Sequence, residues 1–299
     1  CSFGYLPGFI RPFTPLLLEL NTYSFEKVEE ISISEIKEIV TAVKEVGGVD
    51  FSDYATASLR RRIIRLSETQ RIRSVKEMLT HIRGGKNFIT TFINEVTVNT
   101  TEMFRDPGFW QILRDTIIPD LAEKDNIRIW HAACSTGEEV YSMCILLLES
   151  GLLDRTRIIA TDINNQALDA ARAGIYPMRN QQLNQMNYEN SGGSRQLKDY
   201  YTVQDNLVRY EKSLISRVKF SRHDLTCDGP FSKFDLILSR NVMIYFNNTL
   251  QEKVLRIFDE SLFEGGFLGI GNKESLSPWS SSRNYAPVCI EEKIYKKTK

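Results

Sequence analysis

The chain has 299 residues, of which 42% are hydrophobic and 25% are charged, and a length of this order predicts two domains. This composition excludes a wholly disordered chain, a collagen repeat and a small disulfide-stabilised domain. Lysine plus arginine and aspartate plus glutamate each number 38, so the formal net charge is +0. Proteins that coat nucleic acid carry a basic excess, and the balanced charge argues against that class.

The spacing of cysteines and histidines indicates neither a disulfide framework nor a metal site. The five cysteines are an odd number without a CxxC pair, as is typical of reduced thiols. The three histidines (His81, His131, His223) have no HxxxH spacing.

No run of apolar residues approaches the ~20 that a membrane span needs. Residues 1–25 lack the basic and continuous apolar regions of a signal peptide. We expect a cytoplasmic protein without an integral membrane segment and assign residues 1–25 no role.

The next part of the chain has the pattern of a small all-helical domain, predicted over residues 26–95. Ser32 with Glu35, and Ser74 with Glu77, have the spacing of helix capping boxes, and each predicted helix ends at a Gly-Gly pair. Apolar residues follow the first box at helical spacing. The arginine-rich residues 59–66 between the two boxes are also predicted to be helical.

From residue 96 onward the pattern predicts an α/β domain that extends to residue 299. Asp106-Pro107 is a predicted N-cap and first turn of a helix. Short apolar runs then alternate with helical segments, which is typical of a parallel, doubly wound sheet. The predicted strands are residues 127–133, 157–161, 234–239 and, after a Glu-Gly-Gly turn, 267–271. The predicted helices are residues 137–150, 165–174 and a stretch around 250–262.

One interval, residues 176 to about 217, interrupts this alternation. It is rich in asparagine and glutamine, contains the string SGGS at 191–194, and has two short β-prone runs in its second half. We therefore predict an inserted hairpin or small antiparallel subdomain there, rather than a crossover helix.

The ends of the predicted strands carry acidic residues. Residues 133–139 (ACSTGEE) form a small-residue turn into a helix, but their one glycine makes a dinucleotide-binding motif a weak interpretation. The two glutamates would repel a pyrophosphate and attract a cation, unless they only cap the helix dipole. Asp162, 25 residues beyond Gly137, suits a ribose ligand or the N-cap of the next helix. Together these features favour a nucleoside cofactor that is cationic, namely S-adenosylmethionine, over NAD.

Four segments resemble the chemotaxis-receptor glutamate methyltransferases of the CheR type. They are VNTTEMFRDPGFW (98–110), IWHAACSTGEEVYS (129–142), SRNVMIYF (239–246) and FLGIGNKESL (267–276), and the resemblance covers roughly residues 30–299. It implies a helical N-terminal domain and a Rossmann-like methyltransferase domain with an inserted antiparallel β-subdomain. The implied activity is S-adenosylmethionine-dependent O-methylation of glutamates on chemoreceptors, the adaptation step of chemotaxis, with S-adenosylhomocysteine as product.

The resemblance also implies roles for individual residues. Cofactor binding is implied for Asn99, Thr101, Arg105, Glu139, Asp162, Asp224, Leu225, Arg240 and Asn241. Arg105 and Tyr245 are the candidates for positioning the acceptor carboxylate; the alternatives are a structural salt bridge for Arg105 and aromatic packing for Tyr245. Two departures from the family pattern are Asp224, where asparagine is usual, and His131, where a small residue is usual.

The arginine-rich stretch is the candidate partner-binding surface. Residues 58–73 contain six arginines, of which Arg60 is the first and Arg73 the last, and one glutamate. Their net charge is therefore +5. A solvated helix face is one interpretation, and a docking face for acidic receptor helices is the other. The resemblance favours docking and assigns receptor contact to the insertion as well, whereas no interleaved aromatics support nucleic-acid binding. A non-catalytic cofactor-binding signalling module and a methyltransferase for a non-chemotaxis partner remain open alternatives.

Overall fold

The computed structural model describes residues 30–276 and 280–299, so the predictions for residues 1–25 lie outside the described residues. Four helices form the first unit, and their buried apolar residues pack into one core. They are α1 (Ile33–Gly47), α2 (Thr56–Thr69), α3 (Val75–Arg83) and α4 (Lys86–Val96). The capping box of α1 is present as predicted: Ser32 Oγ accepts from Glu35 N at 3.2 Å, and Glu35 Oε2 accepts from Ser32 N at 2.8 Å.

Two predictions for the helical unit need correction. The proposed basic helix, Arg60 to Arg73, is not helical throughout: α2 contains the predicted residues 59–66 but ends at Thr69, because Arg71 takes a left-handed φ of 56° that a helix cannot continue through. The second capping box is half formed. Ser74 Oγ caps Glu77 N, whereas the Glu77 carboxylate accepts from Arg73 N at 2.7 Å instead of from Ser74.

The second unit is built on a seven-stranded sheet. Its strands are β1 (Ile127–Ala132), β2 (Thr156–Asp162), β6 (Val218–Arg222), β7 (Phe234–Ser239), β8 (Leu262–Ile270), β9 (Tyr285–Cys289) and β10 (Ile294–Lys297). Their order across the sheet is β6-β2-β1-β7-β8-β10-β9. The first five strands in this order pair in parallel. β10 pairs antiparallel with both β8 and β9. The sheet is therefore mixed, whereas the sequence predicted a parallel one. The C-terminal hairpin has no crossover helix, which a parallel pair would need.

Helices cover both faces of this sheet, as in a Rossmann-like fold. They are α5 (Pro107–Ile112), α6 (Ile118–Ala122), α7 (Glu138–Glu149), α8 (Asn165–Ala173) and α10 (Asn248–Ser261), with a π-helical turn at Leu113–Ile117 between α5 and α6. Because side chains alternate along a strand, Ile129 of β1 packs with α5 and α7, whereas Trp130 packs with α10.

Asp106-Pro107 forms the N-cap and first turn of α5, as predicted. The Asp106 side chain makes no capping hydrogen bond, however, because the residue lies in the left-handed region at a φ of 56° and its carboxylate pairs with Arg240. One local prediction in this unit is wrong. The predicted Glu-Gly-Gly turn lies inside β8, which already begins at Leu262. Gly265 has a φ of 77°, and the pairing with β7 shifts register between Phe234 and Leu236, so this turn is an irregularity in a continuous strand.

The insertion contains the predicted antiparallel sheet, in the order β3-β5-β4, with strands β3 (Ile175–Pro177), β4 (Tyr201–Gln204) and β5 (Leu207–Tyr210). It also contains a helix, α9 (Gln181–Asn190), which was not predicted. The tight hairpin turn between β4 and β5 is Asp205-Asn206, with φ values of 50° and 58°. The glycines of the SGGS string instead follow the end of α9.

Helix α9 also holds the loop that precedes α5. Asn184 Oδ1 accepts from Met103 N at 3.2 Å, and Asn187 Nδ2 donates to Met103 O at 3.1 Å. Both asparagines are buried. The insertion is therefore part of the support for the loop that carries Arg105, two residues further along the chain.

Candidate cofactor and methyl-transfer site

A cavity of about 960 Å³, including its open mouth, lies at the carboxyl ends of the parallel strands, where α/β sheets bind ligands. All the predicted site residues line it: Asn99, Thr101, Arg105, Glu139, Asp162, Asp224, Leu225, Arg240, Asn241 and Tyr245. The fold thus brings together residues from five separate stretches of the chain.

The backbone around the cavity is strained. Ala133, Ser135 and Asn241 line the cavity with φ values of 63°, 52° and 61°. Phe104 and Asp106, on either side of Arg105, have φ values of 51° and 56°. Non-glycine residues in this region are uncommon and cluster at functional sites, where the surrounding structure holds them in place.

Asp162 joins the end of β2 to the loop after β1. Its Oδ2 accepts from Ser135 N at 2.8 Å, and its Oδ1 accepts from Asn164 N at 2.9 Å. Burial raises the pKa of Asp162, and these backbone hydrogen bonds oppose that rise only in part. The N-cap of α8 is Asn164, whose Oδ1 accepts from Gln166 N and Ala167 N. Asp162 is therefore not the helix cap, and the alternative interpretation of this residue is wrong.

Asp224 contributes an unsatisfied acceptor. Its Oδ1 accepts from the backbone N and Oγ1 of Thr226, at 2.9 and 2.6 Å. Its Oδ2 is buried and has no hydrogen-bond partner among the described residues. The neighbouring His223 is similar: Nε2 lies 3.1 Å from Gly229 O, and Nδ1 is buried without a described partner. Buried acceptors of this kind call for a donor, which a bound ligand can supply.

The two glutamates of the ACSTGEE turn have different surroundings. Glu139 lines the cavity, whereas Glu138 does not. The Glu138 carboxylate is buried and accepts from Thr136 Oγ1 at 2.7 Å, and burial raises the pKa of Glu138 to about 7. The cation-attracting role predicted for both residues is therefore available only to Glu139.

Arg240 is the centre of a buried charge network. Its Nη1 donates to Glu139 Oε2 at 3.2 Å, and its Nη2 donates to Asp106 Oδ2 at 2.6 Å. The guanidinium also lies 4.1 Å from the ring centroid of Phe109. On the other side of Glu139, Oε1 lies 2.9 Å from His131 Nδ1. Burial raises the pKa of Glu139, but the contacts with His131 and Arg240 outweigh burial and hold that pKa below its ordinary value.

The two candidates for positioning an acceptor differ in how they are held. The Arg105 guanidinium makes one long hydrogen bond, from Nη1 to Thr100 O at 3.4 Å, and the ion pairs of the site are made by Arg240. Among residues 30–276 and 280–299, the salt-bridge alternative for Arg105 is therefore not observed. The Tyr245 carbonyl accepts from Ala55 N at 2.8 Å, which fixes this residue against the helical unit.

Tyr54 of the helical unit also lines the cavity, and sequence reasoning missed it. Its ring lies 5.1 Å from that of Phe246, edge to face. Next to it, Asp53 O accepts from Asn247 N at 2.8 Å, and Asp53 Oδ1 accepts from Asn247 Nδ2 at 3.0 Å. No motif marks this contact between distant parts of the chain, so the sequence offered no signal for it.

Glu274 is a second missed residue, and it supports the loop after β7. Its carboxylate accepts from four backbone N–H groups, those of Gly271, Asn241, Met243 and Ile244, at 2.6, 3.3, 2.7 and 3.3 Å. Burial raises the pKa of Glu274, against these hydrogen bonds. The segment 267–276, which resembles the family, was the available signal, although it did not identify the glutamate within it.

Family models match almost the whole described chain. Residues 34–97 match the model described as the CheR methyltransferase all-alpha domain, and residues 99–290 match the CheR methyltransferase SAM binding domain. The chain belongs to the CheR methyltransferase family. Its cofactor is S-adenosylmethionine, as the second model describes.

Relatives support this membership along most of the chain. Methyltransferase Cher3 of Pseudomonas putida is 39% identical over 267 residues, covering 88% of this chain and 97% of that protein. The chemotaxis protein methyltransferase of Listeria innocua is 32% identical over 237 residues, covering 78% and 87% respectively. Chemotaxis protein methyltransferase 1 of Vibrio cholerae is 32% identical over 262 residues, covering 83% and 91%.

The residues of the cavity fit S-adenosylmethionine chemically. The cavity presents three carboxylates, of Glu139, Asp162 and Asp224, and two guanidinium groups, of Arg105 and Arg240. An acidic excess suits a cationic sulfonium, and the guanidiniums suit the carboxylate of the methionine end. The unsatisfied Asp224 Oδ2 is an acceptor to which the adenine amino group can donate.

Within residues 30–276 and 280–299, no helix is long and apolar enough to cross a bilayer.

Proposed function

We propose that this protein transfers a methyl group from S-adenosylmethionine to glutamate side chains of bacterial chemoreceptors, in the adaptation step of chemotaxis. One observation carries the proposal: Arg105 and Tyr245, which suit a carboxylate acceptor, line the same cavity as the acidic residues that suit the sulfonium. The names of the Listeria innocua and Vibrio cholerae relatives agree with it. Receptor methylation also gives the protein a cytoplasmic place of action.

The cofactor-binding roles follow the chemistry of each wall. Asp162 is the acceptor for ribose hydroxyls, and Asp224, beside Leu225, is the acceptor for the adenine amino group. Glu139, with Arg240, faces the methionine end, where an ammonium and a carboxylate need partners of opposite sign. The remaining predicted residues, Asn99, Thr101 and Asn241, complete the walls as hydrogen-bonding groups.

The acceptor requires alignment rather than deprotonation. The bound cofactor supplies an electrophilic methyl group. A glutamate with its ordinary pKa of ~4.3 is already ionised at neutral pH, so no general base is needed. The guanidinium of Arg105 holds one carboxylate oxygen, and the hydroxyl of Tyr245 orients the other. Catalysis then rests on positioning and on exclusion of water from the cavity.

Labelled methyl transfer tests this function. The protein is incubated with radiolabelled S-adenosylmethionine and cytoplasmic receptor fragments. The fragments should become labelled, and mild base should release the label as methanol, as it does from a carboxyl methyl ester. Receptor fragments with glutamine in place of the acceptor glutamates serve as the control and should remain unlabelled. Cofactor binding without transfer would support the non-catalytic module instead, and base-stable label would exclude ester formation.

Tyr245→Phe is expected to lower kcat by about 10- to 150-fold, which corresponds to losing a hydrogen bond to a charged group worth ~1.5–3 kcal/mol. Initial rates on a receptor fragment measure the loss of turnover, and calorimetry measures the affinity for the product S-adenosylhomocysteine. That affinity should stay unchanged. Tyr295→Phe on β10, outside the cavity, is the matched control. Full turnover of Tyr245→Phe would remove the hydroxyl from the mechanism.

Helix α2 is the proposed docking surface for receptor helices. Its apolar face, with Leu59 and Ile63, is buried in the helical unit, and Arg61 and Arg65 are exposed. The helix begins at Thr56, two residues after the cavity-lining Tyr54, so its N-terminal end is close to the cavity in the chain. Clustered receptor glutamates are the acidic counterpart that such a face attracts.

Reversing Arg61 and Arg65 to glutamate is expected to raise KM for the receptor about tenfold at low salt, since exposed pairs contribute ~0.2–1 kcal/mol each and reversal adds repulsion. The difference should shrink as salt rises, because the Debye length falls from ~30 Å at 0.01 M to ~8 Å at 0.15 M. Initial rates across this range measure it. Lys76 and Lys86, exposed on α3 and α4, give a matched control when reversed to glutamate. Identical curves for both variants would identify α2 as a solvated face.

The insertion is the second proposed receptor contact. Beside its hairpin turn, Val203 on the edge strand β4 is 56% exposed, and Leu207 on the central strand β5 is 43% exposed. Val203 pairs with Val208 and Leu207 with Gln204, so the two exposed side chains lie on opposite faces of the hairpin. Exposed apolar side chains on both faces make the end of this hairpin the candidate protein-binding surface. Deleting the insertion would also remove the asparagines of α9 that hold Met103, so point substitutions are the sharper test.

The double variant Val203→Asp with Leu207→Asp is expected to lower kcat/KM on intact receptor about tenfold, since it replaces roughly half-exposed apolar contacts worth ~1.5–3 kcal/mol each when fully buried. Affinity for S-adenosylhomocysteine should be unchanged. Ile290→Asp, at another exposed apolar position outside the insertion, is the control. Unchanged methylation of intact receptor would exclude this surface.

A further inference from the structure

His131 is a buried ionisable side chain that the proposed mechanism does not use. It lies near the end of β1 and is 0% exposed. Its Nδ1 is 2.9 Å from Glu139 Oε1, while its Nε2 is buried without a hydrogen-bond partner among the described residues. A buried imidazole in contact with a carboxylate that lines the cavity needs a functional or structural explanation.

The surroundings define what His131 does to Glu139. The carboxylate is held from both sides, by His131 on Oε1 and by Arg240 on Oε2 at 3.2 Å. The pKa of Glu139 lies below its ordinary value, so at neutral pH the carboxylate is ionised and can only accept. His131 Nδ1 therefore carries the proton that it shares with Oε1. Each carboxylate oxygen has a second lone pair, which stays available to a ligand in the cavity.

We propose that His131 is a positioning residue, which fixes the Glu139 carboxylate for the ammonium group at the methionine end of the cofactor. This rests on the proposed role of Glu139. His131 itself does not line the cavity, so it acts through the glutamate. Without the imidazole, Arg240 alone would hold the carboxylate, which could then rotate toward Arg240 and away from the ligand.

The affinities of two ligands distinguish a positioning role of His131 from a general role in stabilising the fold. S-adenosylhomocysteine contains the amino-acid end, and 5′-methylthioadenosine has the same nucleoside without it. His131→Leu keeps an apolar side chain of similar size but has no N–H. We expect it to weaken S-adenosylhomocysteine binding about tenfold in calorimetry and to leave 5′-methylthioadenosine binding unchanged. His131→Asn, whose amide can donate from nearly the Nδ1 position, should restore most of the lost affinity.

Glu139→Gln distinguishes failure of this inference from failure of the underlying site assignment. It should weaken S-adenosylhomocysteine selectively, and His131→Leu should add no further loss in that background, because both act through one carboxylate. If Glu139→Gln has no effect, the assignment of Glu139 fails, and the role of His131 fails with it. If only Glu139→Gln weakens binding, or if His131→Leu weakens both ligands equally, the positioning role is wrong and His131 serves only the fold.

Discussion

Arg240→Ala is expected to destabilise the fold and abolish measurable cofactor binding together. The Arg240 side chain is 1% exposed, and it pairs with Glu139 and Asp106, which are 17% and 31% exposed. Removing one partner of a buried ion pair costs about 3–5 kcal/mol, because the other charge stays behind uncompensated. The partial exposure of Asp106 puts the expected loss of unfolding free energy at the low end of that range. The cation–π contact with Phe109 is lost as well.

The pH dependence of this loss has a defined sign. The pKa of Glu139 is lowered in the folded state, so its charged contacts stabilise the fold above the ordinary pKa of ~4.3 and stop doing so as pH falls through the lower, folded value. Arg240→Ala removes one cause of that lowering. The difference in unfolding free energy between wild type and variant should therefore be largest near neutral pH and shrink below pH ~4. Denaturant unfolding at several pH values measures it.

A second buried ion pair supplies the control. Arg114 pairs with Glu149 at 2.8 Å, with side chains 20% and 2% exposed, and lies outside the cavity. Arg114→Ala should destabilise the protein but leave the affinity for S-adenosylhomocysteine intact. If Arg240→Ala is as stable as wild type, or binds the cofactor normally, the network does not organise the site.

The sequence predicted which residues line the cavity better than it predicted the local geometry around them. The carboxyl ends of parallel strands meet at one edge of a sheet, so Glu139 and Asp162 could be expected together once the strands were recognised, whereas Arg240 was implied by the family resemblance. Tyr54 could not, because its position depends on how the helical unit docks on the loop around Phe246. Tertiary docking leaves no periodic pattern in the sequence.

Competition between local and tertiary contacts explains where the local geometry departs from the sequence pattern. Asp106 is the N-cap of α5, as its residue type and the following proline predict, but its carboxylate pairs with the buried guanidinium of Arg240 instead of capping the helix. Helix α9 is rich in asparagine, which has low helix propensity, and two of its asparagines instead hydrogen-bond to Met103. In both cases a contact distant in sequence overrode the local preference.

Asp162→Ala is expected to weaken S-adenosylhomocysteine by about 10- to 150-fold, from the loss of a charged acceptor worth ~1.5–3 kcal/mol. It should weaken 5′-methylthioadenosine by the same factor, because both ligands carry the ribose. This separates it from His131→Leu and Glu139→Gln, whose effects are expected only where the amino-acid end is present. Calorimetry with both ligands measures the pattern.

The support that Asp162 gives to the backbone adds a second expected effect. Its carboxylate accepts from Ser135 N and Asn164 N, so Asp162→Ala also leaves two donors without their partner. A ligand at 100 times its Kd stabilises the folded state by ~2.7 kcal/mol, and a variant that binds about 10- to 150-fold more weakly should lose about half of this or more at the same ligand concentration. Asp169→Ala, at an exposed position on α8 outside the cavity, is the matched control and should keep the full ligand-induced rise in Tm. A folded Asp162→Ala variant with unchanged affinity for both ligands would exclude Asp162 as the ribose acceptor, because both ligands carry the ribose of the cofactor.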